Sequence, residues 1–143
     1  MTTNKLAIRA LPVIEGPPRT PVTTGGRIRL PAGEFVQVLN GDVARFVALL
    51  EFKVGDGLTR GNHFHEKKSE ALYVVSGRLA AVFVDVDSGE RVERTLVAGD
   101  LARVAPRLAH TYRALEPALA IETSPTPFDP ADVVPFRRFD PTP

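Results

Sequence analysis

The sequence predicts an all-β domain, either a closed barrel or a double-sheet sandwich, and three observations predict it. Thirteen prolines and eleven glycines interrupt the 143 residues too often for long helices. The apolar residues lean toward Val, Leu and Phe, which suit a pleated, half-buried surface. Stretches of two-residue alternation recur roughly every 8–12 residues with turn residues between them, the spacing of a sandwich or barrel.

The elements follow in chain order. Residues 6–14 form a short apolar patch and residues 16–26 (GPPRTPVTTGG) are too rich in proline for a central strand, so residues 1–26 read as an edge strand or arm followed by a loop. Alternation starts at Arg27-Ile28-Arg29-Leu30 and resumes over residues 34–39. Asn40-Gly41 is a hairpin signal. Residues 43–54 (VARFVALLEFKV) are the longest apolar run and predict a strand buried on most of both faces. A strand carrying His63 and His65 comes next, then residues 71–76, ended by Gly77 and paired in a hairpin with residues 78–85. Strands over 91–97, 101–105, 111–115 and 118–123 complete the series. The domain expected from this order is 27–124, followed by a proline-rich tail, 125–143, with one helical turn near residues 130–134.

Composition excludes several classes of function. With no cysteine there are no disulfides and no thiolate ligands, so any metal site must use nitrogen and oxygen. A net charge of +1 with mixed signs leaves no footprint for nucleic acid. No apolar run approaches the roughly 18–20 residues of a membrane span, and residues 1–16 lack the pattern of a secretory signal. The expectation is a cytoplasmic domain with a small-molecule substrate and neither nucleic acid nor membrane as partner.

The chemistry concentrates in residues 57–77, GLTRGNHFHEKKSEALYVVSG. Side chains at i and i+2 of a strand share a face, so His63 and His65 present two imidazoles side by side, as one metal ion requires. Glu70 follows after a polar turn, and the third and last histidine, His110, lies on a second patterned stretch. In a barrel, neighbouring strands would point all four inward. Imidazoles with one carboxylate suit Fe, Mn, Ni, Zn, Co or Cu. Tyr112 shares the face of His110 in a regular strand and is the candidate acid. Tyr73 and Glu122 lie on alternating strands and are candidates for contact with substrate. Lys67 and Lys68 read as solvated turn residues, and Phe46, Phe52 and Phe83 as core.

These residues resemble the two motifs of the cupin superfamily. Gly57, His63, His65, Glu70 and Gly77 match the first motif at every spacing, and Gly99 and His110 keep the distance of the second. The second departs where proline is expected at Ala105 and stands at Pro106, where Arg107 replaces a glycine and Ala114 an asparagine. The resemblance implies a double-stranded β-helix, or jelly-roll, and one divalent ion (Fe, Mn, Zn or Ni) held by His63, His65, Glu70 and His110. It also implies a homodimer that pairs edge strands or swaps residues 1–26.

A narrower likeness concerns Arg60, Gly61, His63, His65, Lys68 and Glu70. Their run is similar to cupins acting on nucleotide-linked sugars, and closer to the metal-retaining cupin domain fused to some capsule-sugar reductases. That likeness implies that Arg60 contacts a phosphate or polar sugar group, while a base removes a proton beside a ketone and a tyrosine or water returns one. The metal-free 3,5-epimerases usually lack the second histidine, and the ketoisomerases tend to carry Gln where this chain has Glu70. The expected function is therefore a metal-dependent isomerase, epimerase or cyclase-like lyase on a polar carbonyl substrate. An Fe(II) dioxygenase and a non-catalytic ligand-binding module are the alternatives.

Overall fold

The computed structural model describes residues 3–16 and 26–140. The loop expected within residues 17–25 lies outside the described residues. Among the described residues there are eleven strands and one 3-10 turn, and no α-helix.

Two long strands organise the fold. β7 (Glu70–Asp85) and β10 (Leu108–Ser124) run antiparallel from the pair Leu108–Asp85 to the pair Thr123–Ala71. Both fold over near their middles and so belong to two facing sheets. In the first sheet the order is β8 (Arg91–Val97), β7, β10, β6 (Thr59–Phe64) and β11 (Val134–Pro135). In the second it is β1 (Leu6–Ala10), β9 (Asp100–Val104), β7, β10 and β5 (Phe46–Phe52). This is a jelly-roll.

The sequence expectation of a hairpin at Gly77 is corrected here: residues 71–76 and 78–85 are one strand bent at that glycine. Gly77 has φ +85°, and a Cβ there would collide with the Pro117 carbonyl oxygen and with Ala118. Glycine thus lets two backbones cross where β7 and β10 bend together. Opposite it, the register shifts around Glu116 and Leu119 absorb the same bend, so residues 111–115 and 118–123 also join into one strand.

Two further expectations are replaced. Asn40-Gly41 makes no hairpin, because the strands beside it pair elsewhere: β4 (Gly33–Val36) with β3 (Arg27–Leu30), and β5 with β10. The run 43–54 is not buried on both faces, since β5 alternates and leaves Val47 and Leu49 65% and 70% exposed. β5 is an edge strand with nothing described over its outer face.

The core fills the space between the sheets with Leu72, Val74, Leu79, Phe83, Leu96, Leu108 and Tyr112 among others. A second cluster of Leu11, Ala71, Tyr73 and Leu101 lies on the outer side of β7 and β9, covered by Val36 and Val38. β2 (Val13–Glu15), β3 and β4 form a small separate sheet. β1 is bound within the chain, with Leu6 opposite Val104.

Candidate metal centre

At the end of the sandwich opposite Gly77, the strand ends of both sheets face each other, and the polar residues gather there. His63 on β6 stands opposite His110 on β10, which in turn neighbours Phe83 on β7. A bulge sets this register. Gly61 (φ +91°) and Asn62 (φ +60°) hold left-handed backbone, and β10 slips by one residue between His110 and Thr111. A Cβ on Gly61 would lie 2.5 Å from the His110 carbonyl oxygen, so only glycine allows β6 to lie this close. The Asn62 side chain fixes the bulge by donating to Thr59 Oγ1 and accepting from Thr111 Oγ1, each at 2.9 Å.

The imidazoles of His63, His65 and His110 offer ligand atoms that all lie within 4.8 Å of one another. Two of the rings are oriented by backbone carbonyls. His110 Nδ1 lies 3.0 Å from the Leu108 oxygen, and His65 Nδ1 lies 2.9 Å from the Asp132 oxygen. A carbonyl only accepts, so each Nδ1 carries a hydrogen, and Nε2 is the nitrogen each ring has left for the cluster.

Glu70 stands beside this trio against His110, its Oε1 2.7 Å from His110 Nε2. Both carboxylate oxygens are buried and receive no hydrogen bond of good geometry. A lone pair facing a carboxylate at that distance needs a positive charge between or upon them. A proton on His110 meets the need: burial alone would lower its pKa, but the Glu70 carboxylate outweighs burial and raises it. For Glu70, burial works toward a higher pKa, and the His110 charge opposite holds it well below the carboxylate range. His63 faces no such partner. Burial, followed by the charges of His110 and His65, pushes it down to about 4. Burial also lowers His65. The imidazoles of His63 and His65, that of His110 once its Nε2 proton is displaced, and the ionised Glu70 carboxylate are donor forms a divalent cation takes, so these residues fit one.

Lys68 corrects its expected place in solvent. It is 6% exposed, with Nζ 3.4 Å from Glu70 Oε2 and 3.5 Å from Glu122 Oε2. The Phe46 ring covers the ammonium at 4.6 Å and Phe128 at 5.8 Å. Glu122, on the same face of β10 as Ala120, is held with its carboxyl pushed up to about 7 by burial and by the Glu70 carboxylate beside it.

The other expected site residues divide. Tyr112 is buried against His110, Phe52 and Phe83, and burial followed by the two carboxylates raises its pKa well above that of a free tyrosine. Arg60 sits exposed at the rim, its Nε donating to the Glu51 oxygen at 2.8 Å and its guanidinium 5.5 Å from the Phe52 ring centre. Tyr73 is not brought to the histidines. Strand alternation turns Leu72 and Val74 inward and Tyr73 outward, into the cluster with Leu11 and Leu101. Sequence reasoning missed Asn62, the buried Lys68 and Asp132. Only the helical turn expected near residues 130–134 marked the segment that holds the last.

The fold agrees with the comparisons. The profile of the cupin domain matches residues 48–123, more than half of the chain. The chain belongs to the cupin family. Among solved structures it is similar to a 3,4-ketoisomerase from Thermoanaerobacterium thermosaccharolyticum in complex with TDP-4-keto-6-deoxyglucose, at TM-score 0.71 and 13% identity over 93% of this chain and 88% of that one. It is similar to dTDP-4-dehydrorhamnose 3,5-epimerase from Sulfolobus tokodaii, at TM-score 0.67 and 20% identity over 77% and 72%. The capsular polysaccharide assembling protein CapF from Staphylococcus aureus shares 26% identity at TM-score 0.58, over 76% of this chain but 28% of that longer protein. No curated protein matches the sequence.

Proposed function

We propose that this cupin is a sugar-nucleotide isomerase or epimerase that moves a proton beside a ketone, with a divalent metal held by His63, His65, His110 and Glu70. One observation carries the reading: three imidazoles within 4.8 Å stand beside Glu70, and Glu70 adjoins Glu122, whose carboxyl is pushed up to about 7. A carboxyl titrating near neutrality both accepts and returns a proton at working pH. Bound there, a divalent ion supplies Lewis acidity to the substrate carbonyl.

The chain's own groups divide the remaining work. Glu122 takes the proton from the carbon next to the ketone, leaving an enediolate. The Lys68 ammonium, fixed between two carboxylates, keeps a positive charge near the developing oxyanion. Tyr112 stays protonated at neutral pH, so it acts as the acid toward carbon and is reprotonated with the proton that Glu122 took, which restores both groups. Arg60 at the rim offers a planar fork to a phosphate. The solved neighbours that act on TDP-sugars support this substrate class. The same reading includes a homodimer, which sedimentation velocity checks.

The test is exchange of the proton next to the ketone. TDP-4-keto-6-deoxyglucose is incubated in D2O with the protein loaded with Mn2+, Fe2+ or Zn2+, and with the chelated protein, and followed by NMR. The expected result is metal-dependent deuterium incorporation that falls on the order of 100-fold or more in Glu122→Gln. Exchange that survives complete chelation would remove the metal from the reading. Oxygen uptake with the iron form, without exchange, would replace it with dioxygenase chemistry.

A further inference from the structure

We infer that Asp132, in the segment after the barrel, is the positioning residue of the metal centre: it sets the shape of the loop between His65 and Glu70 and the tautomer of His65. The inference rests on the metal reading above for its affinity arm and on geometry alone for the rest.

One residue meets four donors. The Asp132 carboxylate accepts from three successive backbone N–H groups: Oδ1 from Glu66 at 2.9 Å and Lys67 at 3.1 Å, and Oδ2 from Lys68 at 3.0 Å. Successive N–H groups converging on one anion form a nest, here filled from within the chain. Asp132's own carbonyl oxygen is the acceptor 2.9 Å from His65 Nδ1. Side chain and main chain of a single residue thus hold the loop and the ring it delivers.

The placement of Asp132 is itself fixed on both sides. Before it, Asp129 caps the 3-10 turn (Pro130–Asp132), accepting from Ala131 N through Oδ1 at 2.9 Å. After it, β11 pairs Val134 with Phe64 and Pro135 with His63, and Phe136 N donates to the Asn62 oxygen at 2.9 Å. Phe136 and Phe139 then pack in the cluster with Phe64, Val84 and Ala109. The segment is strapped across the outside of the strand that carries His63, and Asp132 reaches over its end to the 66–68 loop.

Two consequences follow. With Nδ1–H donated to the Asp132 carbonyl, His65 presents Nε2 and no other nitrogen to a cation. With Glu66, Lys67 and Lys68 N–H all committed to the carboxylate, the turn is closed, and Glu70 enters β7 at the point facing His110. Removing the carboxylate frees three N–H groups and the turn that holds the carbonyl. The ring then loses its acceptor although no ligand has been altered.

The experiment uses the full chain with Asp132→Ala and Asp132→Asn. The Asn variant keeps one acceptor oxygen and the shape of the side chain. Long-range proton–nitrogen NMR reads the His65 tautomer in metal-free protein, and Co2+ absorption with competing chelator reads affinity. Expected are a wild-type His65 protonated at Nδ1, a mixed tautomer in Asp132→Ala with affinity for Co2+ lower by about 10- to 100-fold, and intermediate values in Asp132→Asn. An unchanged tautomer in folded Asp132→Ala overturns the inference, even if affinity falls. If Asp132→Ala does not fold, the same reading of Asp132→Asn decides, and a wild-type tautomer and affinity there overturn it. Should wild-type protein bind no Co2+, the metal reading fails and the tautomer arm alone decides this one.

Discussion

β7 and β10 build two opposite ends of one sandwich, and the ends are made differently. At the bend, Gly77 meets Pro117 and Ala118 backbone to backbone, and the inward side chains around it, Leu79, Ala114 and Ala118, are apolar and closed to solvent. At the open end the same strands turn Glu70, His110 and Glu122 inward, where the buried Glu70 oxygens face the side chains of His110 and Lys68 without a hydrogen bond of good geometry. The closed end gains stability from packing. The open end accepts poorly satisfied polar groups, and the closed end holds them in place.

The sharpest test of that contrast is to empty the packed region. Leu79 is fully buried two residues from Gly77, and Leu79→Ala should cost about 2–5 kcal/mol in denaturant unfolding, more than any single ligand substitution. If His63→Ala proves equally costly, the division between packing and ligation fails. A smaller effect lies where the regions meet. Gly61→Ala adds a methyl against the His110 carbonyl at φ +91°, and should destabilise by roughly 1–3 kcal/mol while lowering metal affinity through the shifted strand.

The open end should also announce a metal by its protons. Because the Glu70 carboxylate raises the pKa of His110, a cation taking His110 Nε2 must displace the proton held there. Titration calorimetry in buffers of differing ionisation enthalpy should show proton release on binding, and none in His110→Gln.

The smallest effect is the pH dependence of metal-free stability. His63 has a folded pKa of about 4, below its unfolded value, so its contribution is full above about 6.5 and is lost as pH falls toward 4. Glu122 has the opposite sign. Its folded pKa of about 7 lies above its unfolded value, so its contribution is full below about 4.5 and is lost as pH rises through 7. Between about pH 4.5 and 6.5 the two slopes oppose each other. In Glu122→Gln one slope is gone, and stability measured by urea unfolding should rise with pH across that window more steeply than in wild type.

A barrel or sandwich was legible from alternation and turn spacing, and the jelly-roll and the grouping of the three histidines through the cupin resemblance that the motif spacings carry. Gly57 to Gly77 and Gly99 to His110 keep distances that alternation turns into facing positions. The strand bends were not legible. Gly77 and Pro117 look like turns in sequence, and only their pairing across the barrel makes them bends in continuous strands. Nor was the burial of Lys68, whose partner Glu122 lies on a distant strand, or the part of Asp132, whose donors are more than sixty residues earlier. Local pattern carries the ligands, and long-range closure carries the groups that hold them.

The pairing of β7 with β10 bears on how the protein is made. His63, His65 and Glu70 leave the ribosome well before His110, and neither sheet has its central partner until residues 108–124 follow. Such distant pairings form slowly. During that interval a growing chain exposes β7, including Leu72, Val74, Leu79 and Phe83, along a strand edge still without its neighbour, and it is there that a chaperone would be needed most.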